Sequence, residues 1–368
     1  MFQGRDARLN PFSFFRRPPL DLSDHRIARD PFPHYARLRR KRSVQWLRHH
    51  GAWIVLGYDD VKAALEQPEV FSNRPYSDMD AVLLAADPPR HRPVRTLISR
   101  YFSASELARL TKVAEDSARG RLGGEIDIVK GYGYAISRDV GAAIIGWDDA
   151  VVSEIDRLEE ATPLPTVLAT LDRLADRSTL MAQLISDGGG TIGPGEARSL
   201  VRLLWLAATT TTERVISRGI LRLLEEPRVR EALMADRTVL PAFIEEVLRL
   251  HPPEHILPRS TTARARLGSV EIPAGSSVYL CVGAANRDPT IYPSPDELRL
   301  DRSARRQLAF GGGIHSCVGA PLARRVVAAA LNTLLDRAPA FEAAEPLSEI
   351  DYFHTMTALS PRRLRVRT

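Results

Sequence analysis

The pattern of apolar and polar residues predicts short strands and a helix early in the chain. SVQWLRHHGAWIVLGY holds two apolar runs separated by a polar segment, which predicts a β-hairpin with its turn near His50 and Gly51. The next stretch, YDDVKAALEQP, begins with acidic residues and then spaces its apolar residues three or four apart. This spacing is typical of a helix that starts at Asp59 and Asp60.

Helical periodicity dominates the middle of the chain. Residues 149–188 follow helical patterns until the glycine-rich stretch DGGGTIGPG interrupts them. A long helix is predicted from Glu196 to about Glu226, which at ~1.5 Å per residue would extend over roughly 45 Å. A further helix, VLPAFIEEVLRLH, ends before Pro252, because proline cannot continue the hydrogen-bond ladder.

The C-terminal third predicts strands, a glycine-rich loop and one more helix. RLGSVEIPAGSSVYLCVGAANRD indicates strands joined at PAG, and a helix follows from about Ala320 to Arg337 before a final strand, RRLRVRT. The chain shows no internal repeat and no clear linker. We therefore expect a mainly α protein with a smaller β portion, built as one domain over residues 30–368 after an irregular lead-in over residues 1–29.

Composition and charge narrow the class of protein. No apolar run approaches the ~20 residues that span a bilayer, and the first residues lack the apolar core of a secretory signal. The two cysteines, Cys281 and Cys317, exclude a disulfide framework, so we expect a cytoplasmic protein without a membrane partner. The net charge of +6 is carried mainly by scattered arginines, which favours an acidic protein partner over nucleic acid.

Four consecutive threonines, residues 209–212, interrupt the long helix in LLWLAATTTTERV. Threonine is a mediocre helix former because its branched Cβ restricts χ1 and its hydroxyl competes for backbone groups. Four in a row therefore require a packing or a chemical reason.

A lone cysteine in FGGGIHSCVGAPLARR follows three glycines and precedes a helix start. Backbone amides near a helix start would favour a thiolate at Cys317. A phosphate loop, a nucleophile assisted by His315 and a buried structural cysteine all remain open, although the phosphate-loop patterns and an orienting carboxylate are absent. One thiolate cannot hold zinc or an iron–sulfur cluster alone, but it can be the axial ligand of a haem iron.

This stretch resembles the cysteine loop of the cytochrome P-450 superfamily, whose pattern is Phe-x-x-Gly-x-[His/Arg]-x-Cys-x-Gly. Every position matches, through Phe310, Gly313, His315, Cys317 and Gly319. The resemblance covers nearly the whole chain and is strongest to the soluble bacterial members. It implies the cytochrome P-450 fold, a long central helix over a haem b, and the Cys317 thiolate as axial ligand of the iron.

Two further residue sets match the same family. EEVLRL supplies Glu246 and Arg249, which resemble the Glu-x-x-Arg pair that the family buries beneath the haem and ties to a third residue, here Arg302. Their spacing alone would equally suit a solvated surface pair. The residues that match the family's haem-propionate ligands are His91, Arg95, Arg259 and His315.

The threonines correspond to the family's oxygen-binding groove, where the resemblance implies that the central helix is locally distorted. Ala207 and Ala208 stand at its small-residue positions, and Thr211 stands at the threonine that helps deliver protons. Thr210 replaces the usual acid, and a hydroxyl can order water but cannot donate a net proton as a carboxylic acid does. Glu213, about one turn later, is not a simple replacement.

The resemblance implies a haem-thiolate monooxygenase that oxidises or hydroxylates a small organic substrate, as in bacterial natural-product biosynthesis. Protons would then pass through Thr210, Thr211 and water, or through a polar group of the substrate. The missing acid leaves open a non-standard chemistry: oxidative coupling, ring closure, nitration or peroxide-driven oxidation. A non-catalytic haem binder is the remaining alternative.

Partners and substrate contacts follow from the same resemblance. Electrons would come from a ferredoxin and its NAD(P)H-dependent reductase, which could meet a basic face made of Arg305, Arg306, Arg324 and Arg325. We expect substrate contacts in residues 77–84 and 254–257, on the helix face of Trp205, Ala208 and Thr211, and near residue 355, where His354 is a polar anchor or an exposed loop residue. The short segment 153–188 suggests an open pocket for a small-molecule or carrier-tethered substrate.

Overall fold

The computed structural model describes residues 22, 24, 27, 30–79, 82–158, 162–302 and 306–368, without the side chains of residues 77–79. The lead-in predicted over residues 1–29 therefore lies outside the described residues, apart from residues 22, 24 and 27. Arg305 of the predicted basic face also lies outside them. Helices dominate this part of the chain. Their bounds are α1 Phe32–Arg39, α2 Tyr58–Leu65, α3 His91–Ser99, α4 Ala104–Arg119, α5 Ala135–Ile145, α6 Asp149–Asp156, α7 Leu164–Ala175, α8 Thr179–Gly188, α9 Pro194–Leu206, α10 Thr212–Glu225, α11 Pro227–Ala235, α12 Leu240–Leu250, α13 Val282–Ala285 and α14 Ala320–Arg337.

The long helix predicted by the sequence is confirmed, but it is not uniform. It begins at Pro194, where a missing N–H costs nothing, and Glu196 accepts a hydrogen bond from the amide of Gly193 at 2.9 Å. Between α9 and α10, residues 207–211 form a π-helical turn. We call the whole run of residues 194–225 the central helix.

The strands confirm the predicted hairpin and the strand-rich C-terminal part. Strands β1 and β2 pair antiparallel with Leu47 opposite Ala52, which places the turn at residues 48–51. The largest sheet has the order β1-β2-β8-β5-β3, and β2 and β8 run parallel. The bounds are β1 Val44–Leu47, β2 Ala52–Val55, β3 Phe71–Ser72, β4 Glu125–Asp127, β5 Leu257–Thr261, β6 Ala265–Leu267, β7 Val270–Ile272, β8 Ser277–Leu280, β9 Glu342–Ala343, β10 Tyr352–His354, β11 Leu359–Pro361 and β12 Arg365–Arg367.

The main core surrounds α10 and fixes the position of α14. Ile216 and Ile220 of α10 and Leu331 and Leu334 of α14 are fully buried in one apolar cluster with α4 and α12. A Cβ on Gly219 would lie 3.5 Å from Leu331, so the two helices approach each other closely at that point. The loop that precedes α14 is thereby held against the central helix.

The other helices agree with the predicted pattern. Residues 149–188 form α6, α7 and α8, and α12 ends at Leu250, before the two prolines. Among the described residues, the structure contains no helix with the length and apolar character required to cross a membrane.

Candidate functional site

The loop before α14 is shaped by glycines and closed by a backbone hydrogen bond. Gly311 and Gly313 have φ values of 70° and 61°, a region that favours glycine. A Cβ on Gly313 would lie 2.2 Å from the carbonyl oxygen of Leu65, so a side chain is excluded there. The amide of Cys317 donates to the carbonyl of Phe310 at 2.9 Å. We call residues 310–319 the cysteine loop.

Cys317 faces a cavity between the cysteine loop and the central helix, and its side chain is accessible from that cavity. Desolvation by the surrounding protein raises the pKa of the thiol, while the amides of Gly319 and Ala320 and the charge of Arg95 oppose the rise. The amides at the helix start thus lower the pKa of the thiol, as predicted, but desolvation outweighs them.

The opposite wall of this cavity comes from the π-helical turn and its neighbours. Ala207 and Ala208 leave room there, and no residue from 146–203 lines the cavity in the part of the chain that the structure describes. The central-helix residues in the lining are Leu204, Ala207, Ala208, Thr211, Thr212 and Val215. The cavity therefore has a small-residue wall opposite Cys317, and helices α6–α8 do not contribute to it.

The threonines of the π-helical turn differ in whether they line the cavity. The side-chain hydroxyls of Thr209, Thr210 and Thr211 each donate to the carbonyl four residues earlier, at 2.7–2.8 Å. Thr211 lines the cavity, whereas Thr210 is exposed and lies outside the lining. The two residues that were expected to form one proton path thus face different surroundings.

Glu213 does not compensate for the missing acid. Its carboxylate is buried away from the cavity lining and accepts a hydrogen bond from Ser217 at 2.7 Å. Burial raises the pKa of Glu213 to about 7. The group is therefore a buried structural acid rather than a cavity residue.

The four residues expected at haem propionates form one polar cluster. The rings of His91 and His315 lie 4.5 Å apart between centroids, and neither Nε2 atom has a hydrogen-bond partner in the part of the chain that the structure describes. Burial lowers the pKa of His91 and lowers that of His315 to about 4, so both rings are neutral at pH 7. Arg95 donates to the carbonyl of Ser316 at 2.5 Å, and the buried Arg259 lines the cavity.

Glu246 and Arg249 form a buried ion pair and not a solvated surface pair. Both side chains are 0% exposed, and two hydrogen bonds of 2.6 and 2.8 Å join them. Arg302 approaches Glu246 at 3.3 Å, and Arg299 donates its amide to the same carboxylate at 3.0 Å. Arg249 also donates to the carbonyls of Asn286, Pro295 and Glu297, so this network ties α12 to the segment before the cysteine loop.

Several expected substrate contacts are corrected by the structure. Trp205 is buried against Trp147, with ring centroids 5.0 Å apart, and does not line the cavity. His354 and the rest of residues 352–358 are also absent from the lining, although Glu254 and Leu257 are present as expected. Of residues 77–84, Leu84 lines the cavity, and residues 77–81 have no described side chains.

Several residues that line the cavity were not predicted by sequence reasoning. Tyr76 interacts with Arg259, and burial raises the pKa of this tyrosine to about 12. Asn73 and Ser137 are buried, and their Oδ1 and Oγ atoms have no partner among the described residues. Nothing in the sequence pattern around either residue distinguishes it from a packing residue.

The predicted basic face is reduced by an ion pair. Arg324 lies 2.5 Å from the carboxylate of Glu245, which neutralises its charge. Arg306 and Arg325 are exposed. Two of the four arginines therefore remain as an exposed basic surface near the cysteine loop.

A cysteine on a glycine-shaped loop, opposite a distorted central helix, defines the class of haem-thiolate proteins. The comparisons agree. A family model described as Cytochrome P450 matches residues 168–343. The chain is 30% identical to cytochrome P450 monooxygenase PikC of Streptomyces venezuelae over 88% of each protein, and 30% identical to cyclomarin C epoxidase CymV of Salinispora arenicola over 88% of this chain and 95% of that one. The structure of CYP109E1 from Bacillus megaterium in complex with testosterone superposes with a TM-score of 0.84 at 26% identity, covering 93% of this chain and 98% of that chain.

The chain belongs to the cytochrome P450 family and is a monooxygenase. Members of the family bind haem b through a cysteine thiolate, and the residues of this cavity fit that group. The accessible Cys317, the small wall of Ala207 and Ala208, and the unpartnered Nε2 atoms of His91 and His315 suit a planar iron cofactor with two carboxylates. The predicted family, fold class and cofactor are thereby confirmed.

Proposed function

We propose that this monooxygenase oxidises a small organic or carrier-tethered substrate in the tailoring of a bacterial natural product. The observation that carries the proposal is the cavity between Cys317 and the π-helical turn, to which α6–α8 contribute no described residue. Such a cavity suits a long or bulky substrate. Two relatives also support the proposal: PikC is a cytochrome P450 monooxygenase, and CymV is a cyclomarin C epoxidase.

The proposed roles follow from position. Cys317 would hold the haem iron, and the haem would supply the activation of dioxygen. Phe310, Gly313 and Gly319 shape the loop around that thiolate. The residues that would hold the haem carboxylates are His91, Arg95, Arg259 and His315. The network of Glu246, Arg249 and Arg302 would keep the cysteine loop in place from behind.

Protons reach the cavity through Thr211 and water in this proposal. The hydroxyl of Thr211 donates to the carbonyl of Ala207 at 2.7 Å, which leaves its oxygen free to accept from a water in the cavity. Ala208 leaves space beside this hydroxyl. Thr210 supports the turn through its bond to the carbonyl of Leu206 rather than facing the reacting atoms.

Electrons arrive from a ferredoxin, which an NAD(P)H-dependent reductase reduces. The exposed Arg306 and Arg325 near the cysteine loop support docking of an acidic ferredoxin. Arg324 contributes less, because Glu245 neutralises it.

A second candidate is a non-standard haem-thiolate reaction, such as oxidative coupling, ring closure, nitration or peroxide-driven oxidation. It is favoured by one observation: the threonine that replaces the usual acid lies outside the cavity lining. A reaction of this kind would need less proton delivery from the central helix.

The first test is a titration of the ferric holoenzyme with free small molecules and with the same acyl groups tethered to a carrier protein. We expect a shift of the haem band to its high-spin position with one class, and a product that contains one oxygen atom from ¹⁸O₂. Product without that atom would favour the second candidate.

The Ala208→Leu variant tests whether the substrate binds in this cavity. It should keep the haem band but lose the substrate-induced shift, because the larger side chain fills the wall opposite Cys317. A full shift in this variant would show that the substrate binds elsewhere.

A further inference from the structure

A second cavity lies away from the cysteine loop and shares no lining residue with the first. Helix α1, helix α10, the end of α12 and strands β10 and β11 enclose it. Its lining includes Asp30, Phe32, Arg218, His251, Arg287 and Asp296. Three of these are basic and two are acidic, and nothing in the function described above uses them.

Arg218 is a buried cation without a carboxylate. Its side chain is 6% exposed. Within the described part of the chain, its Nε atom has no hydrogen-bond partner and no carboxylate forms an ion pair with it. The Tyr352 side chain hydrogen-bonds to it, and the ring centroid of that tyrosine lies 4.7 Å from Cζ. Burial lowers the pKa of this guanidinium. A buried charge without a partner is costly, so such sites are normally compensated.

The neighbouring arginines on the same face of the central helix show the contrast. Arg214, one turn earlier, pairs with Glu254 at 2.5 Å. Arg222, one turn later, pairs with Glu225 at 2.8 Å. Arg218 lies between them at the same i, i+4 spacing and alone faces the cavity. Its lack of a counter-charge is therefore a local feature of this cavity.

Arg287 and His251 add hydrogen-bond donors to the cavity wall. Arg287 stacks on Phe32 at 4.0 Å, pairs with the exposed Asp296 at 2.5 Å and donates to the carbonyl of Leu250 at 2.9 Å, while its Nε atom has no partner among the described residues. Burial and the nearby arginines lower the pKa of His251, so its ring is neutral and can donate or accept. Asp30 also lines the cavity, but its side chain is exposed.

We propose that this second cavity binds a small oxyanion, either inorganic phosphate or the carboxylate of an organic acid. The guanidinium of Arg218 supplies the uncompensated charge, and Arg287 and His251 supply further donors around it. An arginine guanidinium matches both phosphate and carboxylate geometry. The site is independent of the proposed oxidation and does not require a bound substrate.

The test compares thermal unfolding of the ferric holoenzyme in phosphate, acetate and chloride at equal ionic strength. For a site with a dissociation constant near 1 mM, ~50 mM ligand would raise the folded-to-unfolded ratio about 50-fold. We expect the midpoint in phosphate or acetate to rise by roughly 2–4 °C above that in chloride. A higher midpoint in only one of the two identifies that anion as the ligand. The same midpoint in all three salts would overturn the proposal.

Arg218→Leu should abolish this dependence, whereas Arg222→Leu, which removes a paired arginine one turn away, should keep the wild-type dependence. An unchanged haem absorbance spectrum would show that both variants are folded. A full anion effect in Arg218→Leu would assign it to general salt action and refute the site. If Arg218→Leu does not fold, Arg218→Lys replaces it in the same measurement. Lysine lacks the forked guanidinium donor, so anion binding should weaken about tenfold. Undiminished anion binding in Arg218→Lys would refute the site.

Discussion

At the scale of single residues, two adjacent threonines differ in what they face. Thr211 lines the cavity that contains Cys317, whereas Thr210 is exposed outside it. We expect Thr211→Ala to lower the product formed per NADPH consumed by at least about 10-fold, since positioned proton donors contribute roughly 10²–10⁴-fold. Thr210→Ala should cause a much smaller loss. The measurement is the yield of product and of hydrogen peroxide with one reconstituted ferredoxin system, and equal losses in the two variants would contradict the assignment.

Glu213 predicts a pH dependence of stability. Burial raises its pKa from 4.5 to about 7, so the folded state holds the proton more tightly than the unfolded chain does. The resulting stabilisation is complete below pH 4.5 and is lost as the pH rises through 7. Between pH 4.5 and 8, the wild type should lose about 3 kcal/mol more than Glu213→Gln, at about 1.4 kcal/mol per pKa unit. Urea unfolding at several pH values measures this difference. The histidines titrate in both proteins and cancel, and parallel curves would show that Glu213 is not the group responsible.

The sequence predicted the cysteine loop and the buried ion pair better than it predicted the cavity wall. Both lie within short continuous stretches that match the family's motifs: Phe310 to Gly319 spans ten residues, and Glu246 and Arg249 are three residues apart on one helix. Thr210 and Trp205 were expected at the cavity, but a π-helical turn and an aromatic contact with Trp147 place them elsewhere. These positions depend on packing between distant segments, which a single periodicity does not encode.

At the scale of elements, the cysteine loop depends on one backbone position. Gly313 has a φ of 61°, and an added Cβ would meet the carbonyl oxygen of Leu65 at 2.2 Å. Gly313→Ala should therefore displace the loop and reduce the haem bound per protein at least severalfold. Gly312→Ala is the matched control, because its φ is extended and its Cβ would meet only the side chain of Leu65, at 3.3 Å. The ratio of haem absorbance to protein measures both. Full haem content in Gly313→Ala would show that the loop tolerates the shift.

The elements themselves were predicted well, because their signals are local. Proline, glycine and apolar spacing predicted the hairpin of β1 and β2, helix α14 and the end of α12, and the structure confirms them. Apolar spacing did not predict the π-helical turn, although the family resemblance implied a local distortion of the helix there. The turn forms where three threonine hydroxyls bond to the preceding turn, and this alternative competes with ordinary helix only in the packed protein. The single-domain organisation stays a prediction.

At the scale of the whole molecule, we expect the positive charge to guide docking of a redox partner only where arginines are exposed near the cysteine loop. The net charge is +6, yet some arginines near the cysteine loop or on the central helix are neutralised, as Arg324 is by Glu245 and Arg214 by Glu254. Arg306 and Arg325 remain exposed beside the cysteine loop. A docking protein would therefore sense these two charges rather than the total.

Reversal of both charges tests this docking surface. The double variant Arg306→Glu, Arg325→Glu should raise the ferredoxin concentration for half-maximal turnover about 10-fold at low ionic strength, because like charges across an interface slow encounter and weaken binding. The effect should shrink towards 0.5 M salt, where screening is strong, while the rate at saturating ferredoxin stays nearly unchanged. The pair Arg228→Glu, Arg266→Glu changes the net charge equally at exposed positions outside the loop and should leave the ferredoxin dependence near the wild type. If both pairs weaken binding equally, the partner senses only the total charge of the molecule, and the docking surface lies elsewhere.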